Sequence, residues 1–324
     1  MKTLLIANVV DHGTASITES YRRELNPDQQ IKITQGVKQL ALRGWFNKGM
    51  EIRHAAETAD VVICLNHGAL VLGSLFIRRR RHLRMVAITE WTRAFPSRRR
   101  DLYIRIYNHV YAWIARRFDD VFCPAPGLRQ CYQGMIEMRD TLYPLPYPDI
   151  TPDQWPDIGD TSNKLLYIGA NIKRKAGDVL LRMWEDAPPA DSRLTFVAPH
   201  TPKDAPQEKV LYLNHIKANT IEHRRLLQEH AIFILPTRHD SYGFAALEAI
   251  NFGQVVVTTQ FAGIASLVQA AGGLVGDSPE QAIEMAFHLA ANPEDLKRRR
   301  HLCRQFMDSY PERLAEHIER ILHG

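Results

Sequence analysis

Cysteine is scarce: four in 324 residues (Cys64, Cys123, Cys131 and Cys303), none in a C-x-x-C spacing, which sets aside disulfide scaffolds and thiolate metal ribbons. No stretch approaches the roughly 20 consecutive apolar residues of a membrane-spanning helix. The opening run of MKTLLIANVVDHG ends at Asp11 without a small-residue cleavage site, so it reads as a first strand rather than a signal peptide, and a reducing cytoplasm is the expected setting. Fixed-period repeats and low-complexity tracts are absent. With 45% hydrophobic and 24% charged residues, neither a disordered chain nor a fibrous one fits. At roughly 150 residues per domain the length favours two domains.

An acidic surplus is also missing. The net charge is +5, and the whole excess lies in the first half. Arg78–Arg117 alone carries 12 basic residues against Glu90 and Asp101, a field suited to an anionic partner or membrane surface. The preceding apolar run GALVLGSLFI adds the option of interfacial contact.

Short β-rich runs alternate with helical patterns along the chain, the signature of parallel sheets with crossover helices. The runs are TLLIANVV, IKIT, DVVICLN, MVAIT and DVFCPA, then KLLYIGA, RLTFVAP, KVLYLNH, AIFILPT and QVVVTT. Five prolines within YPLPYPDITPDQWP resist helix and ladder alike. The expected division is residues 1–150, a proline-rich linker at 151–163, a second domain at 164–305, and a C-terminal helix from 306 to 324 that caps the second domain or returns to the first. Leu314, Ile318 and Ile321 mark that helix's apolar side. In DLYIRIYNHVYAWIARR, the stripe Leu102, Ile106, Val110 and Ile114, flanked by Tyr103, Tyr107 and Tyr111, reads as a core face in preference to an acceptor-binding wall.

The most informative segment is AIFILPTRHDSYGFAALEAINFGQVVVTT. A strand ends at Pro236, a polar loop covers Thr237–Tyr242, and Gly243 opens a helix. At the carboxyl end of a parallel strand such a helix start offers its first N–H groups and positive dipole end to a phosphate. Asp240 stands before the helix and Glu248 more than a turn inside it, placed to address different parts of one long ligand.

The Asp240-x7-Glu248 spacing, with Gly243 three residues after the first acid, resembles the E-x7-E signature of retaining, nucleotide-sugar-dependent glycosyltransferases of the GT-B fold, the family of bacterial mannosyl- and glucosyltransferases, glycogen synthase and sucrose synthase. Asp240 takes the place of the first glutamate and Tyr242 that of the usual phenylalanine. LLYIGANIKRKAGDVLLRMW resembles the family's strand–loop–helix that supplies cations to the donor diphosphate, here Arg174 and Lys175. In the first half, Gly13 in DHGTAS matches the glycine turn near the donor phosphates. His67 in CLNHGAL matches a histidine beside the transferred sugar, and ITEWTRAF matches a strand end where acceptor contacts lie.

The resemblance implies an α/β, GT-B-like chain with two Rossmann-like parallel-sheet domains facing across a cleft. It implies a glycosyltransferase moving a hexose from a nucleoside diphosphate sugar to a hydroxyl acceptor with retention. Glu248 would hold the donor ribose hydroxyls and Asp240 the transferred sugar, with Ser241, Tyr242, Gly243 and Phe244 completing the donor pocket. Charge on the leaving diphosphate is then met by side chains, with no metal and no cofactor besides the nucleotide-sugar co-substrate. Retention by two displacements and by same-face attack both stay open. The basic region points to an anionic acceptor, such as a phosphorylated glycan, lipopolysaccharide core or lipid-linked sugar of the cell envelope, with peripheral contact at the inner membrane face. The rivals are a non-catalytic basic protein binding nucleic acid or anionic lipid, and another GT-B enzyme such as a sugar-nucleotide epimerase or a phosphorylase. No nucleic-acid motif is present, so nucleic acid is not the expected partner.

Overall fold

All ten β-rich runs form strands, and every pairing among them is parallel. The computed structural model describes residues 1–324 except 9–11, 34–41, 90–100, 126–128, 130, 131, 133, 158–162, 203–205, 207 and 215; the side chains at 8, 12–14, 16, 42, 43, 67, 101–105 and 107 also lie outside the description. Two compact units result: Met1–Pro144 with Glu312–Gly324, and Leu145–Pro311.

In the first unit β1 (Thr3–Asn8), β2 (Gln29–Ile33), β3 (Val61–Leu65), β4 (Arg84–Ile88), β5 (Asp120–Cys123) and a two-residue β6 (Arg139–Asp140) form one sheet in the order β2-β1-β3-β4-β5-β6. Val61–Leu65 is buried at every position, because a sheet covered on both faces needs apolar side chains on both. The helices are α1 (His12–Leu25), α2 (Leu42–Ala56), α3 (His67–Phe76) and α4 (Asp101–Ala115). The steps β2 to β3, β3 to β4 and β4 to β5 all run the same way across the sheet. Right-handed crossovers therefore put α2, α3 and α4 on one face and α1, whose step runs the other way, on the opposite face.

The stripe expected to form the core face of α4 packs only in part: Ile114 is half-buried, and the side chains of Leu102, Tyr103 and Tyr107 lie outside the described residues. Ile106 and Val110 are half exposed or more, whereas Asn108, Tyr111, Ala112 and Ala115 are buried. These four have i, i+3, i+4, i+7 spacing, and their less apolar residues find specific partners. Tyr132 donates its hydroxyl to Asn108 Oδ1 at 3.1 Å, and its ring lies 5.4 Å from that of Tyr111. GALVLGSLFI likewise turns mostly inward, with Ala69, Leu70 and Leu72 buried and Leu75 exposed.

The second unit comprises β7 (Lys164–Ile168), α5 (Gly177–Asp186), β8 (Arg193–Val197), β9 (Val210–Leu213), α6 (Ile221–Gln228), β10 (Ile232–Leu235), α7 (Phe244–Asn251), β11 (Val255–Thr259), α8 (Ala265–Ala270), β12 (Leu274–Gly276), α9 (Pro279–Ala290) and α10 (Pro293–Asp308). Its sheet runs β12-β11-β10-β7-β8-β9. Trp184, Leu180 and Val179 of α5 and Ile283, Ala286 and Leu289 of α9 share one core cluster with the strands. In the last helix, α11 (Tyr310–His323), Leu314, Ile318 and Ile321 are buried in the first unit. Arg84 holds its end there, donating to Ile321 O at 2.8 Å while paired with Asp120 at 2.6 Å.

The proline-dense segment packs as part of the second unit from Leu145 onward. Prolines remove ladder donors but leave side chains and the remaining N–H groups free to bond. Tyr147 N–H donates to Asn251 Oδ1 and Trp155 Nε1–H to Asn251 O, both at 3.1 Å. Gly253, at φ +76°, makes room for the indole, since a Cβ there would sit 2.3 Å from the Trp155 ring.

Candidate active site

The backbone after β10 fixes the site's centre. Asp240 N–H donates to Phe261 O and Asp240 O accepts from Gly263 N–H, both at 3.1 Å, so the acid is held between the loops after β10 and β11. Gly243 caps α7 in the left-handed region at φ 106°, where an added Cβ would meet Leu235 at 3.1 Å and Ile264 at 3.2 Å. Only glycine turns the chain sharply enough here without strain. α7 therefore starts directly beyond the loop, with its first N–H groups lacking the i−4 carbonyls of a helix interior.

The neighbouring strand β7 brings the cations. β7 pairs with β10, so their C-terminal loops lie side by side. Arg238 N–H and the Thr237 hydroxyl both donate to Arg174 O, at 3.0 and 3.2 Å. The glycines of this loop serve packing: a Cβ at Gly169 or Gly177 would fall 2.3 or 2.6 Å from the Tyr167 hydroxyl. Ala176 carries the strained turn into α5, at φ 51°.

These loops set up a compact electrostatic arrangement. Arg174 Nη1 reaches Asp240 Oδ1 and Lys175 Nζ reaches Asp240 Oδ2, each at 3.1 Å. Burial pushes the Asp240 carboxyl up, but Lys175 and Arg174 outweigh it and leave it below the usual range, so it stays ionised. Glu248, on the buried side of α7, is different. Burial raises its pKa to about 8 against a smaller lowering by Lys175, and at neutral pH it holds a proton. Two cations, one carboxylate and one neutral acid leave the site with a net charge of +1, suited to an anion.

Asp240, Arg174, Lys175 and Glu248 thus lie together in the second unit. Ser241 is half-buried, Tyr242 is buried with its ring 5.2 Å from that of Phe244, and Tyr242 O accepts from Ile264 N–H at 2.9 Å. Gly13 falls in the first turn of α1 instead of a loop, and His67 opens α3, its side chain outside the described residues. Most of ITEWTRAF and the arginines at 98–100 also lie outside them.

Two residues escaped the sequence reading. His223 of α6 places Nε2 3.8 Å from Glu248 Oε2, and Tyr147 places its hydroxyl 2.7 Å from His223 Nδ1. Burial lowers the His223 pKa to about 4, so the ring is neutral. The Tyr147 hydroxyl accepts from Asn219 N–H at 3.1 Å; its own proton then goes to His223 Nδ1, which leaves Nε2–H facing Glu248. Among the described residues no cluster of three His, Cys, Asp or Glu is placed to hold a metal ion.

Residues 162–292 match the family model described as Glycosyl transferases group 1. The matched stretch spans the loop after β7, the loop after β10 and both carboxylates, and so includes Arg174, Lys175, Asp240 and Glu248. No curated protein matches the sequence. Solved structures resemble the chain over nearly its whole length: Anabaena HepE in complex with UDP and glucose (14% identity, 99% of this chain and 98% of that one, TM-score 0.68), WaaG, a glycosyltransferase involved in lipopolysaccharide biosynthesis (14%, 100% of both, 0.62), and sucrose-phosphate synthase from Thermosynechococcus elongatus (10%, 99% and 98%, 0.72). At such identities the likeness is one of fold, and the fold is GT-B-like.

Proposed function

We propose that the protein is a glycosyltransferase that moves a hexose from a nucleoside diphosphate sugar to a hydroxyl acceptor with retention of configuration. The observation that carries this reading is the trio of Asp240, Arg174 and Lys175 at the start of α7, with the protonated Glu248 behind it. The diphosphate occupies the helix start, where Arg174 and Lys175 oppose the charge that grows as the sugar departs. Among the described residues Arg174 bonds only through the Nη1 of its side chain, to Asp240 and to His239 O, which leaves Nε and Nη2 for phosphate oxygens. Asp240, kept ionised, meets the sugar's hydroxyls or its developing positive charge. Glu248 takes the ribose hydroxyls, which donate to its carboxylate once the proton has left. Ser241, Gly243 and Phe244 line this donor pocket.

The group 1 match and the complexes of HepE with UDP and glucose and with UDP-glucose support a nucleotide-sugar donor. The chemistry needs no metal and no cofactor, because the cations are built in. The localised positive charge of the first unit favours an anionic acceptor in the cytoplasm, a phosphorylated glycan or lipid-linked sugar of the cell envelope.

A panel of nucleoside diphosphate sugars, assayed for released diphosphate with the product anomer read by proton NMR, tests the reading. Turnover of at least one donor to a product with the donor's anomeric configuration is expected. An inverted anomer would overturn retention. A protein that binds no sugar nucleotide in calorimetry would overturn the function.

A further inference from the structure

The helical layer of the first unit is apolar on the side that should be wet. Of the eleven large hydrophobics left exposed among the described residues, six lie on three consecutive helices: Phe46 and Met50 on α2, Leu75 on α3, and Ile106, Val110 and Trp113 on α4. α3 packs against both α2 and α4, and the Phe46 ring lies edge-on to Phe76 at 6.3 Å, so these residues share one face of the sheet. On α4 the exposed positions are spaced i, i+4, i+7, and Trp113 is 64% exposed. Since α4 buries its opposite stripe in the core, this second apolar stripe is not needed to hold the fold. Scattered surface hydrophobics are ordinary; a continuous layer marks a binding face.

Charge identifies the occupant. α3 and α4 both run toward the edge where β4 and β5 begin, and each ends in arginines: Arg78–Arg81 after α3, Arg116 and Arg117 after α4. Arg79 pairs with Asp119, Arg80 donates to Ala56 O and Glu57 O, and Arg116 donates to Met135 O at 2.9 Å. Arg78, Arg81 and Arg117 are exposed, with no acidic partner among the described residues. Among the described residues the exposed acids on this layer and its edge are few: Glu51, bonded to Lys48, Glu57, Asp60, which accepts from Lys2 N–H, and Asp119, already paired. A second copy of the chain would set like charges against each other, whereas anionic headgroups satisfy them while acyl chains take the apolar side chains.

We propose that the outer face of α2, α3 and α4 docks the protein on an anionic lipid bilayer, lying in the interface with Trp113 at headgroup depth. Among the described residues no helix is long and apolar enough to cross a membrane, and none is needed for this mode. The inference does not depend on the catalytic reading, since its residues are remote in sequence from Asp240 and Glu248 and its readout is binding alone.

Sedimentation of the full chain with vesicles of phosphatidylcholine, with and without phosphatidylglycerol, tests it. Binding only to the anionic vesicles is expected, weakening at least tenfold between about 0.05 and about 0.5 M salt as charge is screened. Brominated lipids should quench the fluorescence of the wild-type protein and not of Trp113→Phe. Val110→Glu with Trp113→Glu, and separately Arg78→Glu with Arg81→Glu, should each cut vesicle binding at least tenfold without changing the circular dichroism spectrum. Equal binding to neutral and anionic vesicles would overturn the proposal. So would full binding by the Val110/Trp113 variant, or a wild-type dimer that the same substitutions dissociate.

Discussion

Tyr147 holds His223 in one tautomer: its hydroxyl lies 2.7 Å from Nδ1 while accepting from Asn219 N–H. A residue 101 positions before Glu248 therefore decides which imidazole nitrogen faces that acid. Tyr147 touches no reacting atom on this reading; it positions.

Tyr147→Phe keeps the ring packed on Phe252, 5.1 Å away, and removes only the hydroxyl. His223 can then protonate Nδ1, and Glu248 loses the N–H that favours its carboxylate. Donor KM should rise about five- to tenfold with kcat within about twofold, and the pH at which donor affinity reaches its plateau should move upward. Superimposable pH profiles for the variant and its parent would end the positioning role.

Glu248 predicts proton release on donor binding. Its pKa is raised to about 8, and ribose hydroxyls donate to the ionised form. Affinity should therefore climb with pH up to about 8 and then level. Calorimetry at pH 7 in two buffers of different ionisation enthalpy should show a proton leaving; identical apparent enthalpies would contradict this.

The same shift makes a stability prediction of opposite sign for the unliganded protein. Unfolded, Glu248 loses its proton near its ordinary value of 4.5; folded, it keeps it to about 8. Its contribution is fully present below 4.5 and lost as pH rises through about 8. Glu248→Gln should melt roughly 5 °C above the parent at alkaline pH, with the two curves meeting in mild acid. Parallel melting curves across that range would refute it.

Lys175 and Arg174 should separate by burial, the Lys175 side chain being 13% exposed and that of Arg174 41%. Lys175→Ala leaves the buried Asp240 carboxylate under-compensated and should cost about 1–3 kcal/mol of stability. Arg174→Ala should cost well under that. Both should slow donor cleavage, by on the order of a hundredfold. Comparable unfolding midpoints with both rates lowered would place both residues in catalysis as argued but not in the Asp240 pairing.

Gly243→Ala tests the turn. At φ 106° with contacts of 3.1 and 3.2 Å waiting for a Cβ, it should cost about 1–3 kcal/mol and displace the start of α7. A variant with parental stability and donor affinity would show that the turn tolerates a side chain.

Much of the architecture was readable in advance. Runs such as DVVICLN and AIFILPT declare buried parallel strands by continuous apolarity, and the loop-to-helix passage at Gly243 announces itself through the residue that alone adopts its φ cheaply. The strands that went unseen, Arg139–Asp140 and Leu274–Gly276, are too short for any pattern. α4 differs for another reason: Ile106 and Val110 of its apolar stripe face outward, and Asn108, Tyr111, Ala112 and Ala115 pack where Tyr132 supplies the matching surface. Hydrophobicity alone ranks stripes by composition, not by what lies opposite.

The sequence by itself determined the alternation of strands and helices and the eight-residue interval between Asp240 and Glu248, because these depend on neighbours along the chain. The tertiary structure decided which acid is ionised. Asp240 and Glu248 lie on one short stretch, yet one sits against Lys175 and Arg174 and the other among apolar atoms with a neutral imidazole. Charge state is set by the groups within a few ångströms, and those arrive from 66 residues away in the case of Arg174 and Asp240, a distance over which no local pattern carries information.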